Sequence, residues 1–438
     1  MGMNRVLIEN AAQIATPIGT CAKRGKQMNG LRLIETGSIY IEDGVIQQIG
    51  PSASVQQYLH ESENQSEIYV IDASGQTLIP GLIDSHTHLM FAGERLDEFC
   101  QRLSGATYMA IMAAGGGIQN TVRATRLADP GLLLNESKRR LSEMLRFGVT
   151  TAEIKSGYGL DERTELEELT LIQQLNQDLD MDVVATFLGA HAIPLEFSGD
   201  GDGYINWIIN TMLPKIAATH LAEYVDVFCD QGVFTLKQAE RLLSAAIDYG
   251  FKIKIHADEI ANLGGATLAA KLNATSADHL LRITSAEIRD LANRSRTIAT
   301  LLPCTAFCLQ EEFAPARQMI DSGCAVSLAS DYNPGSAYTC SVPLMIALAS
   351  VTMKMTPAEI LTALTINAAA AIDRADSIGS LEVGKLADIV FLNVPDYRYM
   401  VYHTGMNDVV RVMKRGKVVD TNGEPENKNW YHRSISVK

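Results

Sequence analysis

The residues with the clearest chemical potential are His86 and His88, in Gly81-Leu-Ile-Asp-Ser-His-Thr-His88. Pro80-Gly81 breaks the chain, and Leu82-Ile83 then reads as a short buried strand. Residues i and i+2 of a strand project to the same side, so the two imidazoles can grip one metal ion, at about 2.0–2.1 Å per nitrogen for zinc. Taken alone, the pair fits two ordinary polar residues at a strand end equally well. The weight shifts because His256, His279 and Asp331 each close another apolar run, and His191 follows a third closely. His60, His220, His403 and His432 fall outside this pattern and read as surface residues.

Those side chains need elements to carry them. From about 82 to 375, strand-like runs alternate with amphipathic helical stretches. The strands are Leu82-Ile83, Val149 to Lys155, Val183 to Leu188, Val225 to Cys229, Lys252 to His256, Thr275 to His279, Thr297 to Leu302 and Ala325 to Asp331. The helices include Leu132 to Phe147, Glu165 to Gln177, Ile205 to Ala218, Leu236 to Tyr249, Leu263 to Leu272 and Pro357 to Ile372. Eight strands alternating with helices define an α/β fold, a (β/α)8 TIM-like barrel, whose chemistry sits at the C-terminal ends of the strands. The two chain ends have a different texture. Asp43-Gly44 and Gly416 mark hairpins within alternating apolar and polar residues, and Ala387 to Val394 reads as another strand. The expected organisation is a composite small β domain from residues 1–81 and 376–438, around a barrel of 82–375.

Composition narrows the function classes. With 47% hydrophobic and 20% charged residues, the 438-residue chain can bury a large core. A formal net charge of -14 argues against nucleic acid and anionic membranes as partners. The seven cysteines, at 21, 100, 229, 304, 308, 324 and 340, form no CxxC pair and suit reduced thiols. No signal-like or membrane-spanning apolar run is evident, so a cytoplasmic protein is expected. Gly115-Gly-Gly117 lacks both GxGxxG spacing and a P-loop lysine, and reads as a loop.

The HxH on strand one, the histidines ending strands five and six, and the aspartate ending strand eight resemble the amidohydrolase superfamily. Its members also carry a flanking two-part β domain, which implies a small β-sandwich here. Many members bridge two metals with a lysine on strand four. Val225 to Cys229 has none, and Lys155 lies on strand two, so one metal per chain is expected. His256-Ala-Asp-Glu259 matches the HxxE of the mononuclear branch. Gly105-Ala-Thr-Tyr-Met109, Ala113 to Ile118 with Thr121 to Arg126, Lys155-Ser-Gly-Tyr-Gly-Leu160, Phe187 to Ala192 and Ser330 to Ser336 are similar to the imidazolonepropionase family within it. Ala110 departs from that pattern, where an acidic residue is expected. The resemblance runs from near residue 40 to beyond Gly416, and nothing is assigned before Glu35 or after Val419.

The resemblance implies hydrolysis of the cyclic amide C–N bond of 4-imidazolone-5-propanoate to N-formimidoyl-L-glutamate, a step of histidine degradation. It implies one ion, zinc or iron, held by His86, His88, His256 and Asp331. Glu259 is expected to move a proton toward the departing ring nitrogen, although an acid at a helix start also suits solvent. His279 is expected to stabilise developing charge, and Asp331 to double as general base through a free carboxylate oxygen. Arg95, Tyr108, Tyr158, His191, Asn333, Gly335 and Ser336 are implied in substrate binding. Spacing alone favours a different reading of Arg95, as a surface residue paired with the acids of Glu94-Arg-Leu-Asp-Glu98. The alternatives are a cytosine or guanine deaminase-like enzyme of the same branch, which needs no carboxylate clamp, and a scaffold without activity. A homodimer is the default expectation.

Overall fold

The computed structural model describes residues 5–61, 67–106, 116–419 and 433–435. It divides into two compact units. One contains the described chain ends with Ser142–Thr151, and the other consists of Ser85–Leu141 and Ala152–Cys340.

Eight strands follow one another in sheet order as they do in sequence: Leu82–Asp84, Val149–Lys155, Asp182–Ala190, Tyr224–Cys229, Lys252–Ala257, Ser276–His279, Ile298–Leu301 and Val326–Leu328. Such in-order pairing is what right-handed β-helix-β crossovers produce. The second strand is buried along its whole length, including Glu153 and Lys155, as expected for a strand covered on both faces. The barrel closes just beyond the first and last strands. Thr87 and Tyr332 form a parallel bridge, the His88 N–H donates to the Tyr332 carbonyl at 3.0 Å, and the Asp331 N–H donates to the His86 carbonyl at 3.1 Å.

The chain ends build a nine-stranded mixed sheet. Its central strand is Arg5–Thr16, within the segment expected to join the small β domain but outside the family resemblance. On one side this strand pairs antiparallel with Arg32–Glu42. On the other it pairs in parallel with Ile68–Asp72 and then with Thr77–Pro80. Thr77–Pro80 in turn pairs antiparallel with Ile389–Leu392, which joins the C-terminal hairpin to the sheet. Both expected hairpins form: Asp43 and Gly44 have φ of 51° and 79°, and Arg415 and Gly416 have 46° and 75°. Two successive left-handed residues make the turn whose twist matches the flanking strands. Ile8, Ile14, Ile39, Ile71, Ile389 and Phe391 are among the residues of the apolar core.

Gly81, just before the first barrel strand, sits against Thr150. A Cβ there would lie 2.3 Å from the Thr150 hydroxyl oxygen and 2.8 Å from its methyl group. Thr150 is buried and β-branched, so it has little room to rotate away. A Gly81→Ala substitution is therefore expected to cost about 1–3 kcal/mol through overpacking. Urea or thermal unfolding would register the loss, and an unchanged midpoint would show that the strand shifts freely.

Candidate active site

His86 and His88 leave the first barrel strand, His256 lies on the fifth and His279 ends the sixth, while Asp331 follows the eighth. All five are buried. The Nε2 atoms of His86 and His88 are 3.1 Å apart, and those of His88 and His256 are 3.2 Å apart. Asp331 Oδ1 lies 3.5 Å from His86 Nε2 and 3.4 Å from His88 Nε2. Burial holds His86 and His88 well below the usual histidine pKa, so both rings are neutral and carry a lone pair. Crowding such lone pairs around a dry point is unfavourable unless a cation sits among them. The donor set fits one metal ion. His279 also approaches the group: His86, His256 and His279 form a second triplet with all ligand atoms within 4.8 Å of one another.

Two carboxylates orient these rings. Asp278 Oδ2 lies 2.6 Å from His86 Nδ1, which keeps the proton on Nδ1 and leaves Nε2 as a donor to metal. Asp226 Oδ2 faces His256 Nδ1 at 3.1 Å, in ion-pair range but not aligned as a hydrogen bond. The same oxygen lies 2.9 Å from the Lys155 ammonium, which also binds Glu153 Oε1 at 2.7 Å. Burial opposes the Lys155 charge, but Asp226, Glu153 and Asp278 outweigh it and raise the pKa above the ordinary lysine value. Glu153 reaches back to the HxH segment, since its backbone carbonyl accepts the Thr87 hydroxyl at 2.7 Å. Lys155 is thus the internal counter-ion of the orienting carboxylates.

Asp331 differs from expectation in one respect. Its second oxygen is engaged, because the Thr305 hydroxyl donates to Oδ2 at 2.5 Å. Burial pushes this carboxyl up to about 6, and a cation beside it would favour the ionised form. Glu259 Oε2 lies 3.5 Å from His279 Nε2. Burial raises the Glu259 pKa well above the usual range, and Asp331, Asp230 and Glu311 add to the effect, so the carboxyl holds its proton. Asp230 fixes the loop beneath it, accepting the backbone N–H groups of Glu259 and Ile260 through Oδ2 at 2.8 and 2.9 Å and that of Ala261 through Oδ1 at 2.9 Å.

The expected substrate residues gather on the same rim, save Tyr108, which lies outside the described residues. Arg95 combines both sequence readings. Its Nε donates to Glu98 Oε2 at 2.8 Å, yet its side chain is only 12% exposed. Glu98 is itself fixed by the Gly117 N–H and the Asn120 amide. Gly335 gives the guanidinium room, since a Cβ there would lie 2.0 Å from Arg95 Nη1. His191 stacks on His88 with ring centroids 4.8 Å apart, and its Nδ1 lies 3.1 Å from the Gly157 carbonyl. Burial lowers its pKa to about 3, so it is a neutral ring with Nδ1–H donating. The Tyr158 ring packs beside it at 5.2 Å, and burial keeps the phenol protonated. The Asn333 amide is taken up by its own loop. It donates to the Asp331 carbonyl and the Ser336 hydroxyl and accepts the Gly335 and Ser336 N–H groups, so it shapes the loop.

Of the outlying histidines, His60 and His220 are exposed, and His403 is partly exposed beside Asp408 at 3.0 Å. His432 is outside the described residues.

An eight-stranded barrel with histidines and an aspartate converging at one rim, in groups that could hold a metal ion, is the framework of a hydrolase. The amidohydrolase family model matches residues 77–419, so the chain belongs to that family. It is 52% identical to imidazolonepropionase from Parabacteroides distasonis, over 95% of this chain and 99% of the relative. It is 49% identical to the Clostridium tetani imidazolonepropionase, over 96% and 99%. Its place within the family is therefore among the imidazolonepropionases. Solved structures share the fold at lower identity. Atrazine chlorohydrolase from Arthrobacter aurescens TC1, complexed with zinc, has a TM-score of 0.67 at 18% identity over 96% of each chain. An adenosine deaminase from Xanthomonas campestris with bound zinc has 0.67 at 17%, over 94% of this chain and 92% of that one.

Asp226, Asp278, Thr305 and Asp230 were not singled out in the sequence. A signal existed for the first two, because a charged residue inside an apolar strand must find a partner. Replacing Asp278 with Asn should weaken metal binding about 10–100-fold by releasing His86 from its tautomer. Competition with a chelator measures this, and unchanged affinity would remove Asp278 from the site.

Proposed function

We propose that this chain hydrolyses 4-imidazolone-5-propanoate to N-formimidoyl-L-glutamate, with the buried rim as its active site. The observation that carries the reading is identity near one half to imidazolonepropionases across almost the whole chain. The deaminase-like alternative is matched by an adenosine deaminase at 17% identity, a likeness of fold.

A neutral amide resists water, so the site must provide a nucleophile, stabilise an oxyanion and protonate the leaving nitrogen. His86, His88, His256 and Asp331 would hold one ion, zinc or iron, since three imidazoles and a carboxylate suit either. When bound, that ion supplies Lewis acidity, which activates water near neutral pH and polarises the carbonyl. Asp331 would take up the proton of the attacking water on Oδ2, which the Thr305 hydroxyl would have to yield, since Oδ1 faces the histidine Nε2 atoms. His279, neutral at the same rim, donates toward the oxygen on which charge develops. Glu259 delivers its proton to the ring nitrogen as the C–N bond breaks. Its burial, which makes the charged form costly, suits it to start as the acid.

Arg95 would bind the propionate, its guanidinium held side-on by Glu98 so that the Nη edge faces Gly335 and the cavity. Tyr158 and His191 would hold the ring, with Tyr108 a further candidate. Asn333, Gly335 and Ser336 form the wall opposite Arg95. We also infer a homodimer in the cytosol, which accords with the acidic net charge and with the lack, among the described residues, of any helix long and apolar enough to cross a membrane.

The test is turnover of 4-imidazolone-5-propanoate generated in situ from urocanate, with a metal count on the same preparation. About one metal per chain is expected, and Glu259→Gln should lose about 10²–10⁴-fold in kcat. Arg95→Ala should lose about 10–100-fold in kcat/KM, the worth of a charge-assisted contact. Fully metallated protein that forms no product would overturn the assignment. An undiminished Arg95→Ala would overturn the carboxylate clamp alone.

A further inference from the structure

Two carboxyls that the mechanism does not use lie behind Tyr158. Glu165 and Glu168, near the start of the helix Glu162–Asp178, are completely buried. Glu165 Oε1 accepts the N–H groups of Gly159 at 3.0 Å and Leu160 at 2.7 Å, and the Ser156 hydroxyl binds the same carboxyl. Glu168 Oε2 accepts those of Gly157 at 3.3 Å and Gly159 at 3.2 Å, and the Tyr158 N–H binds it too. The Gly159 N–H is therefore shared, and the two carboxyls converge on one donor. Among the described residues no lysine or arginine pairs with either. The remaining oxygens, Glu165 Oε2 and Glu168 Oε1, are buried and have no donor among the described residues.

The surroundings offer no compensating charge. Asp161 precedes the helix, Tyr158 is on the loop, and Tyr204 faces the pair from the helix Gly201–Trp207. Arg126 is bound to Asp161, Glu196 and the Gly159 carbonyl. Two ionised carboxylates that converge on one donor in a buried site repel, which favours keeping one of the pair protonated. The loop has little freedom to move instead. Gly157 has φ of 117°, and a Cβ on it would lie 2.7 Å from the Leu188 carbonyl oxygen.

We propose that Glu165 and Glu168 form a positioning pair that shares one proton and, through the Gly157–Leu160 amides, fixes Tyr158 against the substrate. The proposal rests on the reading of Tyr158 as a substrate contact. Burial raises Glu165 to about 7, and burial with Glu165 as neighbour raises Glu168 well above 4.5. A carboxyl raised in the folded state gives its full stabilisation below the unfolded value, and that stabilisation is lost as pH rises through the folded value. The loop is thus held most firmly in acid to neutral solution and loosens on the alkaline side as a second charge develops. Glu168→Gln cannot develop that charge, yet it keeps a carbonyl oxygen for the amides.

The experiment uses the metal-loaded full chain and compares the unaltered protein with Glu168→Gln, Glu168→Ala and Tyr158→Phe. It measures KM from pH 6 to 9 and amide exchange across residues 157–160. The unaltered protein should show KM rising and the protection of these amides, taken relative to their intrinsic base-catalysed exchange, falling toward pH 9, with both changes absent in Glu168→Gln. Glu168→Ala, which loses the acceptor, should raise KM and speed exchange about 10-fold at every pH. Should Glu168→Ala fail to fold, the Glu168→Gln profiles decide. Profiles of Glu168→Gln that superimpose on the unaltered protein would overturn the pair. If Tyr158→Phe keeps its KM while Glu168→Ala speeds exchange, the clamp stands and the substrate role of Tyr158 falls.

Discussion

The constraint on which the site depends is where three protons sit. Nε2 atoms of His86, His88 and His256 lie within 3.2 Å of a neighbour in a space with almost no water. Such an arrangement is usable only if the imidazole protons face outward, and Asp278 and Asp226 are set to draw two of the three that way, those of His86 and His256. Buried aspartates would themselves be costly without compensation. Lys155 provides it with a charge that is part of the chain and independent of any ion. The lysine that the superfamily often uses as a metal bridge on strand four has no counterpart there. An aspartate in strand four and a lysine in strand two meet instead, in keeping with the proposal of one ion.

The same segments close the barrel. The backbone groups that join the ends of strands one and eight belong to His86, His88, Asp331 and Tyr332. The proposed metal ligands and the barrel closure therefore share one group of hydrogen bonds, and a distortion of either reaches the other. Backbone conformation carries part of the cost. Asp258, His279, Leu280 and Asp331 all have φ between 53° and 75°, where non-glycine residues are disfavoured. Their clustering at strand ends around one rim is the pattern expected where geometry serves chemistry more than stability.

Much of this was legible in the sequence because it is periodic. The eight barrel strands fall within a few residues of their expected bounds, since buried parallel strands read as short apolar runs. The histidines could be assigned to a rim from strand ends alone. Second contacts were less visible. Glu153 and Lys155 are two apart on a strand and so share a face, but nothing local says that Asp226 comes to meet them. Thr305 and Asp230 act from neighbouring strands across tens of residues, and sequence spacing carries no record of that. Arg95 shows a different limit. Its local pairing with Glu98 was readable, whereas its burial depends on Gly335, far along the chain. Asn333 had the right position for a ligand contact, but its amide is used up by the turn it makes. The central strand Arg5–Thr16 fell within a segment expected to be strand-rich but had no bounds of its own, because its residues alternate imperfectly around Glu9-Asn10, where the pairing register shifts.

The acidic net charge seems at odds with an anionic substrate until the local use of carboxylates is considered. Several of those nearest the rim are tied to backbone amides. Glu98 accepts the Gly117 N–H, Asp230 accepts three consecutive N–H groups, and Glu165 and Glu168 gather the amides of the Tyr158 loop. Loops that leave the C-terminal ends of barrel strands run into helix N-termini, where free N–H groups point outward and acceptors are needed. A carboxylate meets that need with two oxygens and no competing donor. Its field is offset by the amide dipoles it binds, and charges on the far surface are screened beyond about 8 Å in physiological salt. An approaching carboxylate therefore responds mainly to the cations within that distance, among which Arg95 is held in place by Glu98 and packed against Gly335. An acid that holds an arginine still is how, on the proposed reading, an acidic protein would bind an acid.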